Sequence, residues 1–215
     1  EFFDTAGVAI ADANKLALAT ADNGLAFSLL DGVDLLAGEG AYFAFDVHFI
    51  GSAAFKVKLN AATVTSALAT GVTNPFPAYA WDNLEYNDIE IAAGAVIQAE
   101  AANAVRIAFG SSVYEPNADQ GYGRFGGENN LAIDYYNNSR GLTGDDAITA
   151  PTGGIYTTFN ETGEVLVTLA GPDEDGLFTG KFTVKIWLEG WDADAFDSIK
   201  AQTISTTLQF VGEAA

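Results

Sequence analysis

Apolar and polar residues alternate with a period of two along much of the chain, the pattern of strands that bury one face. In the run from Tyr42 to Phe49, the apolar set Phe43, Phe45, Val47 and Phe49 takes one side, leaving Tyr42, Ala44, Asp46 and His48 on the other. Phe55, Val57 and Leu59 alternate with Lys56, Lys58 and Asn60, and Val105, Ile107 and Phe109 alternate around Arg106. Val165, Val167 and Leu169 form a further row. Phe182, Val184, Ile186 and Leu188 interleave with Thr183, Lys185 and Trp187, and Ile204, Thr206, Leu208 and Phe210 make the last row. Near the start, Leu16-Leu18 and Leu25-Phe27-Leu29 are split by Asp22-Asn23-Gly24, a hairpin signal. These rows predict an all-β chain of about eight strands, a single jelly-roll-like β-sandwich.

Helix is expected in one place near the C-terminus, from Trp191 to about Lys200. Asp192 is placed to cap it, Asp194 and Asp197 sit in its first turns, and Trp191, Ala195, Phe196 and Ile199 share a face. A second helical turn is expected within 128–136. Two long irregular stretches, about Gly71 to Gly94 and Tyr114 to Gly154, read as loops inserted between strands, where function concentrates. Neither a fixed-period repeat nor a Ser/Pro-rich linker divides the chain. The expected organisation is one sandwich domain over 15–215, preceded by an N-terminal segment, 1–14.

Composition narrows the function. Hydrophobic residues make up 49% and charged residues 18% of the 215, too apolar for a solvating disordered tail. Nine Lys and Arg against 29 Asp and Glu give a net charge of −20, which disfavours nucleic acid and anionic membrane surfaces as partners. No apolar run approaches the length of a membrane-spanning helix. The absence of Cys removes thiol catalysis, disulfides and Cys-ligated metals, and the single histidine, His48, cannot make a two-His zinc site. There is no Met, even at position 1, so Glu1 is expected to be a processed terminus left by loss of a secretory leader. The sequence lacks a Gly-x-Ser-x-Gly elbow, and the glycine-rich run Gly121 to Gly127 carries no Lys to cradle a phosphate. A carboxylate dyad for glycoside hydrolysis needs a separation that sequence does not supply. No catalytic residue and no obligatory cofactor are expected.

Oxygen ligands are the one metal-binding resource in quantity, and they suit Ca²⁺. The candidate ligands are Glu115, Asn117 and Asp119, with Glu128 in the same loop, and secondarily Asp173 and Asp175. The latter two lie in Gly171-Pro172-Asp173-Glu174-Asp175-Gly176, which reads first of all as a turn. Aromatics gather in both long stretches: Phe76, Tyr79, Trp81 and Tyr86 in the first, Tyr114, Tyr122, Phe125, Tyr135 and Tyr136 in the second. Packing beneath their own loops, a subunit interface and sugar stacking all use these residue types. A monomeric carbohydrate-binding or adhesin domain, with glycans as partners, is therefore the alternative reading.

The segment before Asn14 carries Phe2, Phe3, Val8 and Ile10 among small residues and cannot bury them by itself. It is either the chain's own first strand or a strand given to a neighbour's sheet edge, with backbone hydrogen bonds for affinity and side chains for register. The opening Phe2-Phe3-Asp4-Thr5, the runs Tyr42 to Phe49 and Phe55 to Thr65, Ala104 to Phe109 followed by Glu115-Pro116-Asn117, and Val184 to Asp192 resemble the TasA/camelysin group. These are secreted surface proteins of Gram-positive bacteria and their wall-less relatives. The resemblance implies an extracellular jelly roll and, for the TasA branch, a biofilm-matrix fibre subunit that polymerises with copies of itself by donating a strand. The camelysin name implies a metalloprotease, for which this chain has only His48 and no zinc motif. The expectation is a secreted, non-catalytic subunit of an extracellular filament or surface layer, its assembly interface formed by Phe2, Phe3, Val8 and Ile10.

Overall fold

The computed structural model describes residues 1–22, 24–30, 35–68, 79–80, 85–86, 89–90, 96–97, 100–110, 112–117, 137, 141–147, 164–190, 192, 195 and 199–215. It is mostly β and sandwich-like. The strands are β1 (Phe2–Phe3), β2 (Lys15–Leu16), β3 (Leu18–Asp22), β4 (Ala26–Leu29), β5 (Glu39–Gly40), β6 (Tyr42–Gly51), β7 (Phe55–Leu68) and β8 (Tyr79–Ala80). They continue as β9 (Glu85–Tyr86), β10 (Ile89–Glu90), β11 (Val96–Ile97), β12 (Val105–Phe109), β13 (Ser112–Tyr114), β14 (Val165–Thr168), β15 (Phe178–Glu189) and β16 (Gln202–Ala214).

Two sheets carry the architecture. The larger runs β1-β6-β15-β12-β13, with the β3–β4 hairpin attached to β15. One flank of β15 takes two partners in succession: β6 antiparallel along Phe178 to Ile186, then β3 in parallel at Leu188 and Glu189. The smaller sheet runs β14-β7-β16, and β7 and β16 pair antiparallel from Gln202↔Leu68 to Ala214↔Phe55. Short pairs β2–β5, β8–β11 and β9–β10 lie outside these sheets.

The main core is the contact of the two sheets, and it takes the alternating rows as expected. Ile107, Phe109, Phe182, Val184, Ile186 and Leu188 meet Val57, Leu59, Val64, Leu169, Ile204, Leu208 and Phe210. Phe210 stands edge-on to Phe109 and Phe49 and tilted against Phe182, ring centroids 5.6–6.0 Å apart. Such edge-to-face contacts suit the ring quadrupole. Bulges adjust the phase in two places. Asn60 falls between Leu59↔Phe210 and Ala61↔Gln209, so the inward set changes parity from Val57 and Leu59 to Ala62 and Val64. A register shift between Val165 and Val167 turns Val165 outward and Leu166 inward.

The other face of the larger sheet departs from the alternation reading, because Tyr42, Ala44 and Trp187 are buried rather than solvated. The β3–β4 hairpin folds over them and closes a second, smaller core with Ala19, Ala21, Phe27, Ala108 and Val113. Phe27 stacks on Tyr42 at 4.1 Å and stands edge-on to Trp187 at 5.3 Å. The hairpin pairs Ala19↔Leu29 through Asp22↔Ala26, where the sequence places it. Its turn residue Gly24 has φ +67, and a Cβ there would come within 2.5 Å of the Ala108 Cβ. Only glycine lets this turn lie flat on the sheet.

The helix expected over 191–200 is not found: there is no α-helix near the C-terminus among the described residues. Asp192 does not cap one. Its side chain reaches the guanidinium of Arg106, and Ile199 and Lys200 enter a tight turn completed by Ala201 at φ +64. A buried cation takes the nearest carboxylate, and that requirement outweighs helix propensity. The turn expected within 128–136 lies outside the described residues. No helix among the described residues is long and apolar enough to cross a membrane.

Candidate functional site

The N-terminal residues that the sequence marks for assembly sit on the chain's own β6. Phe2 pairs with Phe43 and Phe3 with Tyr42, and β1 ends there. The Ala44 N–H donates to the Glu1 carbonyl (2.9 Å), the Glu1 ammonium to the Ala44 carbonyl (3.1 Å), and the Ala41 N–H to the Phe3 carbonyl (2.8 Å). Phe3 stacks on Tyr42 at 5.2 Å, and Phe2 tilts against Phe43 at 5.4 Å. The segment then doubles back: Asp4 accepts the Val8 N–H, and Ile10 donates to the Phe2 carbonyl. Ile10 is half-buried and Val8 is 60% exposed, so the four residues are not one buried unit. Beyond Ala44, the same flank of β6 runs from Phe45 to Gly51 with no strand partner among the described residues.

The candidate calcium ligands are distributed differently. Glu115 is buried and its carboxylate meets Arg106 at 2.7 Å. The Asn117 amide donates to the Asn103 side chain at 3.2 Å. Asp119 and Glu128 lie outside the described residues. Asp173 accepts the backbone N–H groups of Asp175 and Leu177 at 3.0 and 2.8 Å, the self-bonded turn that the Pro-Asp-Glu-Asp-Gly order favours, and Asp175 is exposed. Among the described residues, no three acidic or histidine side chains come together as a metal cradle. Glu115 thus neutralises a cation of the chain itself.

That cation is the centre of a cluster that the sequence did not announce. Arg106 is fully buried on the β12 face opposite Ile107, its guanidinium 2.6 Å from Asp192 and 2.7 Å from Glu115. It also donates to the carbonyls of Asn103 and Val105. Glu189, likewise fully buried, accepts from the Trp187 indole N–H at 3.1 Å. Burial works against the arginine's charge, but Asp192, Glu115 and Glu189 outweigh it and hold the proton more tightly than water does. The cluster ties β12, the chain after β13 and the chain after β15 to one atom group, at the margin of the main core. By alternation Arg106 falls on the polar face of β12, and nothing in the sequence marks that face as covered; in the structure all five residues of the strand are buried.

Of the aromatics considered for sugar stacking, Tyr114 is a core residue of β13. It stands edge-on to Phe109, and its hydroxyl donates to Glu164 at 2.7 Å. Tyr79 and Tyr86 belong to the short strands β8 and β9, and Phe76, Trp81, Tyr122, Phe125, Tyr135 and Tyr136 lie outside the described residues. Compared with protein-family models, curated proteins and solved structures, the chain matches none.

Proposed function

We propose that this chain is a structural subunit of an extracellular filament or surface layer, a jelly-roll domain that polymerises by passing its N-terminal strand to a neighbour. The observation that supports this reading is the state of the β6 edge. The chain's own N-terminal strand pairs with only Tyr42 and Phe43, and from Phe45 to Gly51 the edge has no strand partner among the described residues, with Phe45 and Ile50 exposed. A two-residue ladder is a weak hold, and an open edge beside it is a template for a longer strand. Exchange of the same segment between copies changes few contacts in kind, which makes a swap inexpensive. Where each copy passes its strand on to the next instead of exchanging it reciprocally, the contact is head-to-tail and grows without closing. Glu115 and Asp192, which the fold brings to one guanidinium, are neutralised by Arg106 and offer no free carboxylate dyad.

Negative-stain microscopy of the purified chain tests the proposal, with fibres of constant width expected. Deleting 1–14 should leave a folded monomer that forms no fibre, since the main core draws no side chain from that segment. Fibres from the truncated chain, or monodisperse full-length particles that bind a glycan array, would reject strand donation in favour of an adhesin-like domain.

A further inference from the structure

We propose a second self-association surface, independent of the N-terminal segment: the outer edge of β16, which pairs antiparallel with the same strand of a second copy about a two-fold axis at Thr207. β16 is thirteen residues long, and among the described residues its only partner strand is β7. From Gln202 to Gly212 it carries no charge and no proline. Exposed edges are normally blunted by lysine, proline or brevity, and this strand has none of these over a span of about 35 Å at ~3.4 Å per residue. Its composition, β-branched and aromatic residues without charge, is that of segments that add to other strands.

Charge selects a second copy as the occupant. A chain at −20 repels its own kind overall, and an edge without acids from Gln202 to Gly212 lets two copies meet without opposing carboxylates. The one acid on the strand, Glu213, is ion-paired to Lys58 on the adjoining strand. The hydrogen bond from Lys58, its charge and that of Lys56 hold the Glu213 carboxyl below its ordinary range. Centring the two-fold on Thr207, the middle of the uncharged run, overlaps 203–211 with itself. Thr207 then meets Thr207, Ser205 meets Gln209 and Thr203 meets Val211 of the second copy. On this exposed face Ser205 and Thr207 already oppose Thr65 and Thr63 within the chain, so the dimer extends a hydroxyl-rich ladder. The contact is isologous and closes on itself, unlike head-to-tail donation.

The absence of cysteine in the chain gives a clean reporter. Under mild oxidation Thr207→Cys should form a disulfide-linked dimer, whereas Ser205→Cys and Gln209→Cys should do so only when mixed with each other. Sedimentation velocity on the full chain should show a concentration-dependent dimer that Ser205→Glu/Thr207→Glu weakens by about tenfold or more. An equal mixture of that variant with Ser205→Lys/Thr207→Lys should restore it. Cross-linking at none of these positions, cross-linking equally at all of them, or an unchanged dimer in the glutamate variant overturns the proposal. Fibres in negative stain report strand donation separately, because β16 variants leave residues 1–14 intact.

Discussion

The two faces of β12 and β15 bury their side chains by different rules. Toward the smaller sheet, Ile107, Phe109, Phe182 and Ile186 join a cluster of apolar side chains and close by area and shape. Toward the hairpin, the same strands present Arg106, Trp187 and Glu189, which are held by directional bonds to Asn103, Val105, Asp192 and one another. The first face tolerates change by degrees, because a lost methylene costs about 1 kcal/mol and its neighbours relax. The second is closer to all-or-none, because removing one charge strands another in a medium that cannot solvate it. Adjacent residues on one strand should therefore differ severalfold in what their substitution costs.

The largest expected effect tests that contrast directly. Arg106→Met should destabilise the fold by about 3–5 kcal/mol, leaving Asp192 and Glu115 buried without their cation, whereas Ile107→Val next to it should cost about 0.5–1.5 kcal/mol. Urea unfolding of both variants measures the difference. Arg106→Met/Glu115→Leu/Asp192→Leu should regain most of the loss, since an apolar replacement of the whole group strands no charge. If the triple variant is no better than the single one, the penalty comes from packing and the contrast fails.

Next in size is Gly24→Ala, which probes the lid of the smaller core. It forces an L-residue to φ +67 and drives its Cβ toward Ala108, so about 1–3 kcal/mol should be lost. The near-ultraviolet circular dichroism of the buried tryptophan should change with it, because Trp187 lies beneath this turn. A variant as stable as the parent would show that the hairpin can lift without disturbing the sheet.

The smallest effect sharpens the comparison at a polar atom on the rim of the apolar core, the Tyr114 hydroxyl. Burial, then the hydrogen bond to Glu164 and that carboxylate's charge, push the Tyr114 hydroxyl well above its ordinary value of 10.0. Tyr42 is raised as well, by burial and by Asp4. A raised folded-state value means stability that is complete below pH 10 and lost as pH climbs above it. Lys185, depressed by burial, acts oppositely, adding stability as pH rises from its lowered value to 10.5, and above that point it no longer opposes the two tyrosines. Tyr114→Phe should cost about 0.5–1.5 kcal/mol at pH 7 and make the decline above pH 10 shallower in thermal melts. An equally steep decline would assign it elsewhere.

These contrasts mark what the chain makes legible. Rows such as Phe182-Val184-Ile186-Leu188 announce strand, face and core together, because one face of each is apolar and the period is unambiguous. The hairpin at 22–24 was readable from its turn residues. Trp187 and Tyr42 were not assigned to a core, since alternation identifies the face opposite an apolar row without saying whether another element will cover it. The Arg106 cluster was hidden for a different reason: its carboxylates come from positions 115, 189 and 192, and only the fold brings them to position 106. By their sequence neighbours alone, the acids at 192 and 115 have the signature of a helix cap and a calcium ligand. The N-terminal segment kept two readings, and pairing with the chain's own β6 is the arrangement the single chain adopts.

The unequal ladders have a mechanical consequence. β16 lies against β7 over its whole length, so tension along its axis loads that ladder in shear, with many hydrogen bonds resisting together. β1 opposes traction with two residue pairs and a few terminal bonds, and its loop back through Val8 supplies slack. A subunit pulled through its two end strands therefore yields at the N-terminal one first, while the sheets behind it stay locked. The domain is built like a buckle, with one strap sewn down and the other only tucked in.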